Sequence, residues 1–215
     1  MAAVTAGSGY LTVTEIYSPE GTLEQTVALT DRAMVMMAFL EDGTLASCCV
    51  DRAGRWLLRL DRGEEALEVL LEDALVYDIL PCGGGAALWT CGGVRFFDVQ
   101  GAETGCLALN GEAVLDWACG DFAALTVYED GGYRLRIASP DGRSQALCAL
   151  TGKPMMLTVC DKSVCLLDRE SLLVYDDFGI LRHRSAIGAR AGAVYARAGR
   201  TLLTGDGQLL LHDIS

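Results

Sequence analysis

The sequence predicts an all-β protein: a β-propeller, or a propeller fragment, of about six repeats with four-stranded antiparallel blades. Three observations carry this. A strand-like apolar run followed by a polar turn recurs six times, at residues 11–21, 56–63, 94–101, 134–142, 172–179 and 209–215. Taking Ile16, Leu60, Val99, Ile137, Tyr175 and His212 as equivalent, the spacings are 44, 39, 38, 38 and 37 residues, a near-constant period of the kind that propeller blades produce. The segments between the runs are short and rich in Gly, Asp and Ser, as hairpin turns are.

The first repeat, residues 1–30, reads as the second, third and fourth strands of a blade, its outer strand being Leu23-Glu-Gln-Thr-Val-Ala-Leu29. The second, residues 33–73, is the fullest, with apolar runs at 34–40, 44–50, 56–60 and 66–71. They are parted by Asp42-Gly43 and Asp51-Arg-Ala-Gly54, residues that reach positive φ cheaply or bond their own backbone. Its last segment, 64–73, has helical composition. The equivalent segments 23–29 and 144–150 read as outer strands, so the repeat makes it a strand.

The third repeat (75–112), fourth (113–152) and fifth (154–188) open with the small, apolar runs 76–82, 114–119 and 155–160. These, with 34–40 and 192–198, are placed innermost, where blades crowd an axis. In the fourth, Tyr133-Arg-Leu-Arg-Ile137 alternates apolar and basic residues, a strand with one wet face. The sixth repeat, 191–215, stops after a third strand. Because unpaired edges are an aggregation hazard, the expectation is the C-terminal part of a larger propeller, the alternative being a ring of six imperfect blades.

Composition narrows the function classes. A chain of 215 residues with 51% hydrophobic and 21% charged residues is globular. Its net charge of −12 argues against a nucleic-acid partner and against docking on anionic lipid. The longest apolar runs, such as 33–40, fall far short of the roughly 20 residues that span a bilayer, and the first residues show no cationic and apolar leader. The expectation is a soluble chain without direct membrane contact, cytoplasmic by absence of signals.

The Asp-Gly turn followed by a strand, and strand endings such as Leu209-Leu-Leu-His-Asp213, resemble degenerate WD40 or quinoprotein-type propeller repeats. Residues 2–13, the hairpin at 34–47 and the third strands also resemble a family of uncharacterised propeller proteins of Gram-positive bacteria, many carrying an N-terminal membrane anchor. The resemblance implies a scaffold outside the membrane, part of an anchored parent, and a cell-surface location. This sequence shows no such anchor.

Few residues suggest chemistry. Trp56, Trp89 and Trp117 lack the repeated motif of quinone-dependent dehydrogenases, and Ser139-Pro-Asp-Gly142 reads as a plain turn. His183 and His212 are the only histidines, and both read as solvated strand residues. Pro81-Cys-Gly-Gly-Gly85 sits in a hairpin and opens no helix, so it is no phosphate loop. The nine cysteines are odd in number and mostly lie in apolar runs, which reads as reduced, buried thiols. Cys82, Cys119 and Cys160 end successive inner strands, where packing is the better reading than a shared metal. Cys160 and Cys165 flank a turn and offer an optional disulfide. The sharpest binding candidate is a basic segment comprising Arg182, Arg184, Arg190, Arg197 and Arg200, suited to an acidic partner or a phosphate. The reading is a non-catalytic scaffold for a protein or peptide, with no cofactor, no metal and no catalytic residue. The alternative is a small-ligand or enzymatic propeller using the central channel, which clustered carboxylates at the axis would mark.

Overall fold

The structure, a computed structural model, describes the chain except residues 1, 6–8, 64, 73, 144, 188–192, 198–199, 206–207 and 214–215. For residues 2–5, 196–197, 200, 202–205 and 208–213 it describes backbone only. Every described element is a strand, and six antiparallel sheets follow one another in chain order. The first holds β1 (Ala2–Thr5), β2 (Thr12–Tyr17) and β3 (Leu23–Leu29). The second holds β4 (Arg32–Phe39), β5 (Leu45–Asp51), β6 (Trp56–Arg62) and β7 (Glu65–Leu71). The third comprises β8 (Val76–Cys82), β9 (Gly85–Thr90), β10 (Gly93–Phe97) and β11 (Glu103–Ala108). The fourth comprises β12 (Ala113–Cys119), β13 (Ala123–Glu129), β14 (Gly132–Ala138) and β15 (Gln145–Leu150). The fifth comprises β16 (Met156–Cys160), β17 (Ser163–Leu167), β18 (Ser171–Asp176) and β19 (Leu181–Ala186), and the last β20 (Ala193–Arg197), β21 (Arg200–Gly205) and β22 (Gln208–Asp213). Four complete blades and two of three strands make a propeller of about five blades. The segment of helical composition is strand β7, because β6 pairs it along its whole length, from Trp56 opposite Leu71 to Arg62 opposite Glu65.

Each sheet pairs strictly in sequence order, and strands β4, β8, β12, β16 and β20 pack beside one another as the inner edges. Greatest burial falls on the second strands β5, β9, β13 and β17, not on the inner strands that the sequence marks as most uniformly apolar. The cause is position. A second strand is paired on both edges and covered on both faces, whereas an inner strand has one edge toward the axis. In β14, Leu135 and Ile137 are buried while Arg134 and Arg136 are only half-buried, as the alternation requires.

The turns recur with the repeat. In six of them a glycine N–H donates to the carbonyl three residues back, as Gly54 does to Asp51, Gly101 to Asp98 and Gly179 to Asp176, each at 3.0 Å. Asp51 Oδ1 also accepts the N–H groups of Ala53 and Arg55, both at 2.9 Å, so the carboxylate stands in for a backbone carbonyl. The turn after each third strand then reaches back onto the outer strand of the preceding blade. Gln25 Nε2 donates to the Gly63 carbonyl at 3.1 Å, Thr104 Oγ1 to Pro140 at 2.7 Å, and Cys148 Sγ to Gly179 at 3.1 Å. Beside the second of these contacts backbone meets backbone, since a Cβ on Gly105 would lie 2.5 Å from the backbone N of Gly142.

Two outcomes follow from this packing. Gly105→Ala forces backbone against backbone and is expected to cost about 1–3 kcal/mol in urea unfolding, whereas Gly92→Ala, with open space around it, stays within roughly 0.5 kcal/mol of the parent. Equal costs at the two sites would contradict the inter-blade contact. The backbone N–H of Arg55 and its neighbours hold the Asp51 carboxyl below its usual range, as that of Thr44 holds Asp42. A depressed carboxyl stabilises the fold above its unfolded-state pKa and loses that contribution as pH falls through the folded value. Asp51→Asn, which keeps an acceptor but cannot titrate, is therefore expected to be weaker than the parent at neutral pH and to converge on it in acid, read from urea midpoints across the carboxylate range.

Candidate functional site

An irregularity shared by the inner strands builds the most distinctive surface of the molecule. In β4 the register shifts between Met34 and Met36, in β8 between Val76 and Asp78, and in β12 between Val114 and Asp116. Each shift is a bulge that leaves one extra residue, Val35, Tyr77 or Leu115, and turns it out of the ladder. In the next blade Met155 donates its N–H to Leu167 at 2.8 Å while Met156 already faces Leu167, so two residues again oppose one. Val35 is 51% exposed, Tyr77 48%, Leu115 44% and Met155 51%. An inner-strand hydrophobe in regular register would be turned into the inter-blade core. Four bulky apolar residues are instead set in an arc where the inner strands begin.

The arc is held by the residues immediately after it. Asp78 Oδ1 accepts the N–H of Ile79 at 2.9 Å, and its Oδ2 accepts Trp117 Nε1 of the next blade at 2.9 Å. Asp116 does the same one blade on, Oδ1 taking the N–H of Trp117 and Oδ2 that of Leu157, both at 2.9 Å. Burial pushes the Asp116 carboxyl above its ordinary pKa, although the two N–H donors favour its charged form. From Tyr77 an aromatic row runs inward: its ring lies 5.2 Å from Trp89, which lies 6.2 Å from Trp117, both pairs tilted.

The arginine segment is arranged otherwise. Arg182 folds back on Asp176 at 2.6 Å, at one end of the outer strand β19. Arg184 donates to Ser171 Oγ at 3.3 Å toward the other end, where it borders an open cavity of about 290 Å³ with Lys153, Arg169, Asp168 and Glu170. Arg197 and Arg200 face each other in register on β20 and β21, their side chains outside the described residues, as is all of Arg190. The two described guanidinium groups thus serve different partners. His183 is exposed on β19, and the His212 side chain lies outside the described residues.

The cysteines divide. Cys48, Cys49, Cys82 and Cys165 are buried, and burial pushes the Cys48 thiol up to about 12, but Cys91 and Cys106 are exposed. Cys160 and Cys165 do not oppose each other across their hairpin. Ladder register pairs Cys160 with Ser163 and Thr158 with Cys165, and the Cys165 thiol lies 3.8 Å from Thr201 Oγ1. Among the described residues no group of three or more metal-ligating side chains converges, and no helix is long and apolar enough to cross a membrane.

No family model and no curated protein matches the sequence. Solved structures do. Hsv2p of Kluyveromyces lactis superposes with a TM-score of 0.61 at 13% identity, over 100% of this chain and 71% of that one. BamB of Moraxella catarrhalis gives 0.56 at 12% identity, over 99% and 72%, and the Pan2 WD40 domain of Neurospora crassa 0.54 at 8%, over 94% and 70%. The fold is a β-propeller. At these identities the likeness concerns architecture alone.

The apolar arc is absent from the reading of the sequence. A signal was there: Tyr77-Asp78 and Leu115-Asp116 occupy the same place in consecutive repeats, with a bulky residue out of the alternating phase. The bulge and its clamp are tested together by a double-mutant cycle. Trp117→Phe removes the donor to Asp78, and its coupling to Asp78→Asn in urea unfolding is expected at about 1–3 kcal/mol; additive effects would mean that the contact carries no energy.

Proposed function

We propose that this propeller is a non-catalytic scaffold that binds an extended segment of a protein partner at the start of its inner strands. The observation that carries the reading is the arc of Val35, Tyr77, Leu115 and Met155, each about half exposed on consecutive blades. Bulky apolar side chains displayed by a rigid frame, with an aromatic row behind them, have the makeup of an interface centre. The segment bound there carries bulky apolar residues with Lys or Arg beside them. Charge supports this, since the chain is at −12 and Asp78 and Asp116 stand directly behind the arc.

The alternative, a ligand or substrate in the central channel, draws less support from the described residues. Asp78 and Asp116 are the carboxylates of the described inner strands, and both spend their oxygens on backbone and indole N–H groups. A resemblance to anchored propellers of Gram-positive bacteria would set such a scaffold at a membrane's outer face, acting on proteins there.

Selection of displayed random peptides on the immobilised protein tests the reading. Enriched peptides are expected to combine an aromatic or branched apolar residue with basic neighbours, and to bind Tyr77→Ser/Leu115→Ser at least about tenfold more weakly, equivalent to 1.4 kcal/mol. Peptides that bind the variant equally well, with its melting temperature unchanged, would place recognition elsewhere.

A further inference from the structure

Cys82 closes β8 and Cys119 closes β12, at the ends of two consecutive inner strands opposite the apolar arc. One residue beyond each, the backbone N–H of Gly83 donates across the blade boundary to the carbonyl of Gly120 at 2.8 Å, so the two strand ends are tied side by side. Cys82 is buried in the cluster against which Cys119 packs, so the two thiols are neighbours. Around them pack Leu80, Trp117 and Ala123. Cys82 is 3% exposed and Cys119 half-buried, so a reagent enters through Cys119. Cys160, at the same position one repeat later, turns to Asp161 instead, and Val159 fills the space beside Gly120.

We propose that Cys82 and Cys119 form a reversible disulfide that staples the third blade to the fourth, made by exchange with a small-molecule disulfide. The Cys119 thiolate attacks one sulfur of that reagent, breaking its S–S bond and expelling one half as a thiolate, which takes up a proton. The Cys82 thiolate then attacks the Cys119 sulfur of the mixed disulfide and expels the second half. Two protein thiols are oxidised, one external disulfide is reduced to two thiols, and the protons released by Cys82 and Cys119 end on them. A disulfide requires cysteine Cα atoms within about 7 Å of each other, and the hydrogen bond between Gly83 and Gly120 draws the two strand ends toward that separation. The other buried thiols offer no such partner: Cys48 and Cys49 are adjacent on one strand and point to opposite faces, and Cys165 lies against Thr201. The neighbouring Cys82 thiol, together with burial, holds the Cys119 thiol above its ordinary pKa, so the exchange is slow at neutral pH and quickens in alkali.

The test uses Cys91→Ser/Cys106→Ser, which removes the exposed thiols that would join molecules, with the parent chain alongside. The folded proteins are held with oxidised glutathione in mildly alkaline buffer, quenched in acid, alkylated in denaturant and digested. The expected product is a peptide pair linked through Cys82 and Cys119, with two thiols lost, restored by dithiothreitol, and a higher melting temperature before reduction. Adding Cys82→Ser is expected to leave glutathione trapped on Cys119. Links between other cysteines, a lasting glutathione adduct on Cys119 while Cys82 is present, or no loss of thiol would each overturn the proposal.

Discussion

Each four-stranded blade of this protein is apolar on both faces, and a sheet of that kind is stable only between two neighbours. Ala46, Cys48, Leu58 and Leu60 meet Val76, Ile79, Ala86 and Leu88 of the next blade in one cluster. Ala87, Val94 and Phe96 meet Ala123, Leu125 and Val127 in another, and Ala124, Leu135 and Ile137 meet Leu157, Val164 and Leu166 in a third. Small residues on the second strands let blades approach closely, and that approach gives the latches between turns and outer strands their short range. The stacking of apolar faces comes first, and the polar ties align what it has brought together.

The inner strands answer a different demand. They must crowd together at one edge of every blade while their carboxylates and indole remain hydrogen-bonded. The bulge reconciles the two. It swings an aspartate toward the adjoining inner strand, where it satisfies N–H groups that the strand's own ladder leaves over, and it displaces the preceding apolar residue to the surface. Exposure of Tyr77 and Leu115 is thus the other side of the bond that secures Trp117 and Leu157.

Much of the architecture was legible because it is repeated. Turn residues such as Asp51 and Gly54 mark hairpins locally, and six recurrences outweigh the helical composition of residues 64–73, which β6 pairs into a strand. What a period of about 40 residues does not encode is phase within a strand. One extra residue at 35, 77 or 115 leaves the pattern of apolar letters intact, yet decides which side chain faces water. Nor does a run of like charge encode its contacts: Arg182 and Arg184 are close in sequence, but one bonds Asp176 and the other Ser171. Cys160 and Cys165 show the same limit, since a shift in hairpin register separates residues that the sequence sets about a turn.

The strict chain order of the sheets has a consequence for biogenesis. Every described strand pairs with its immediate predecessor or successor, and each described blade packs on the one before it, so contacts are made within a blade or to the next one. On a ribosome, where synthesis runs at about 5–20 residues per second, a new blade emerges every few seconds and finds the previous apolar face already formed as its template. The order of the sheets matches the order of translation, so each completed sheet shields one face of the last.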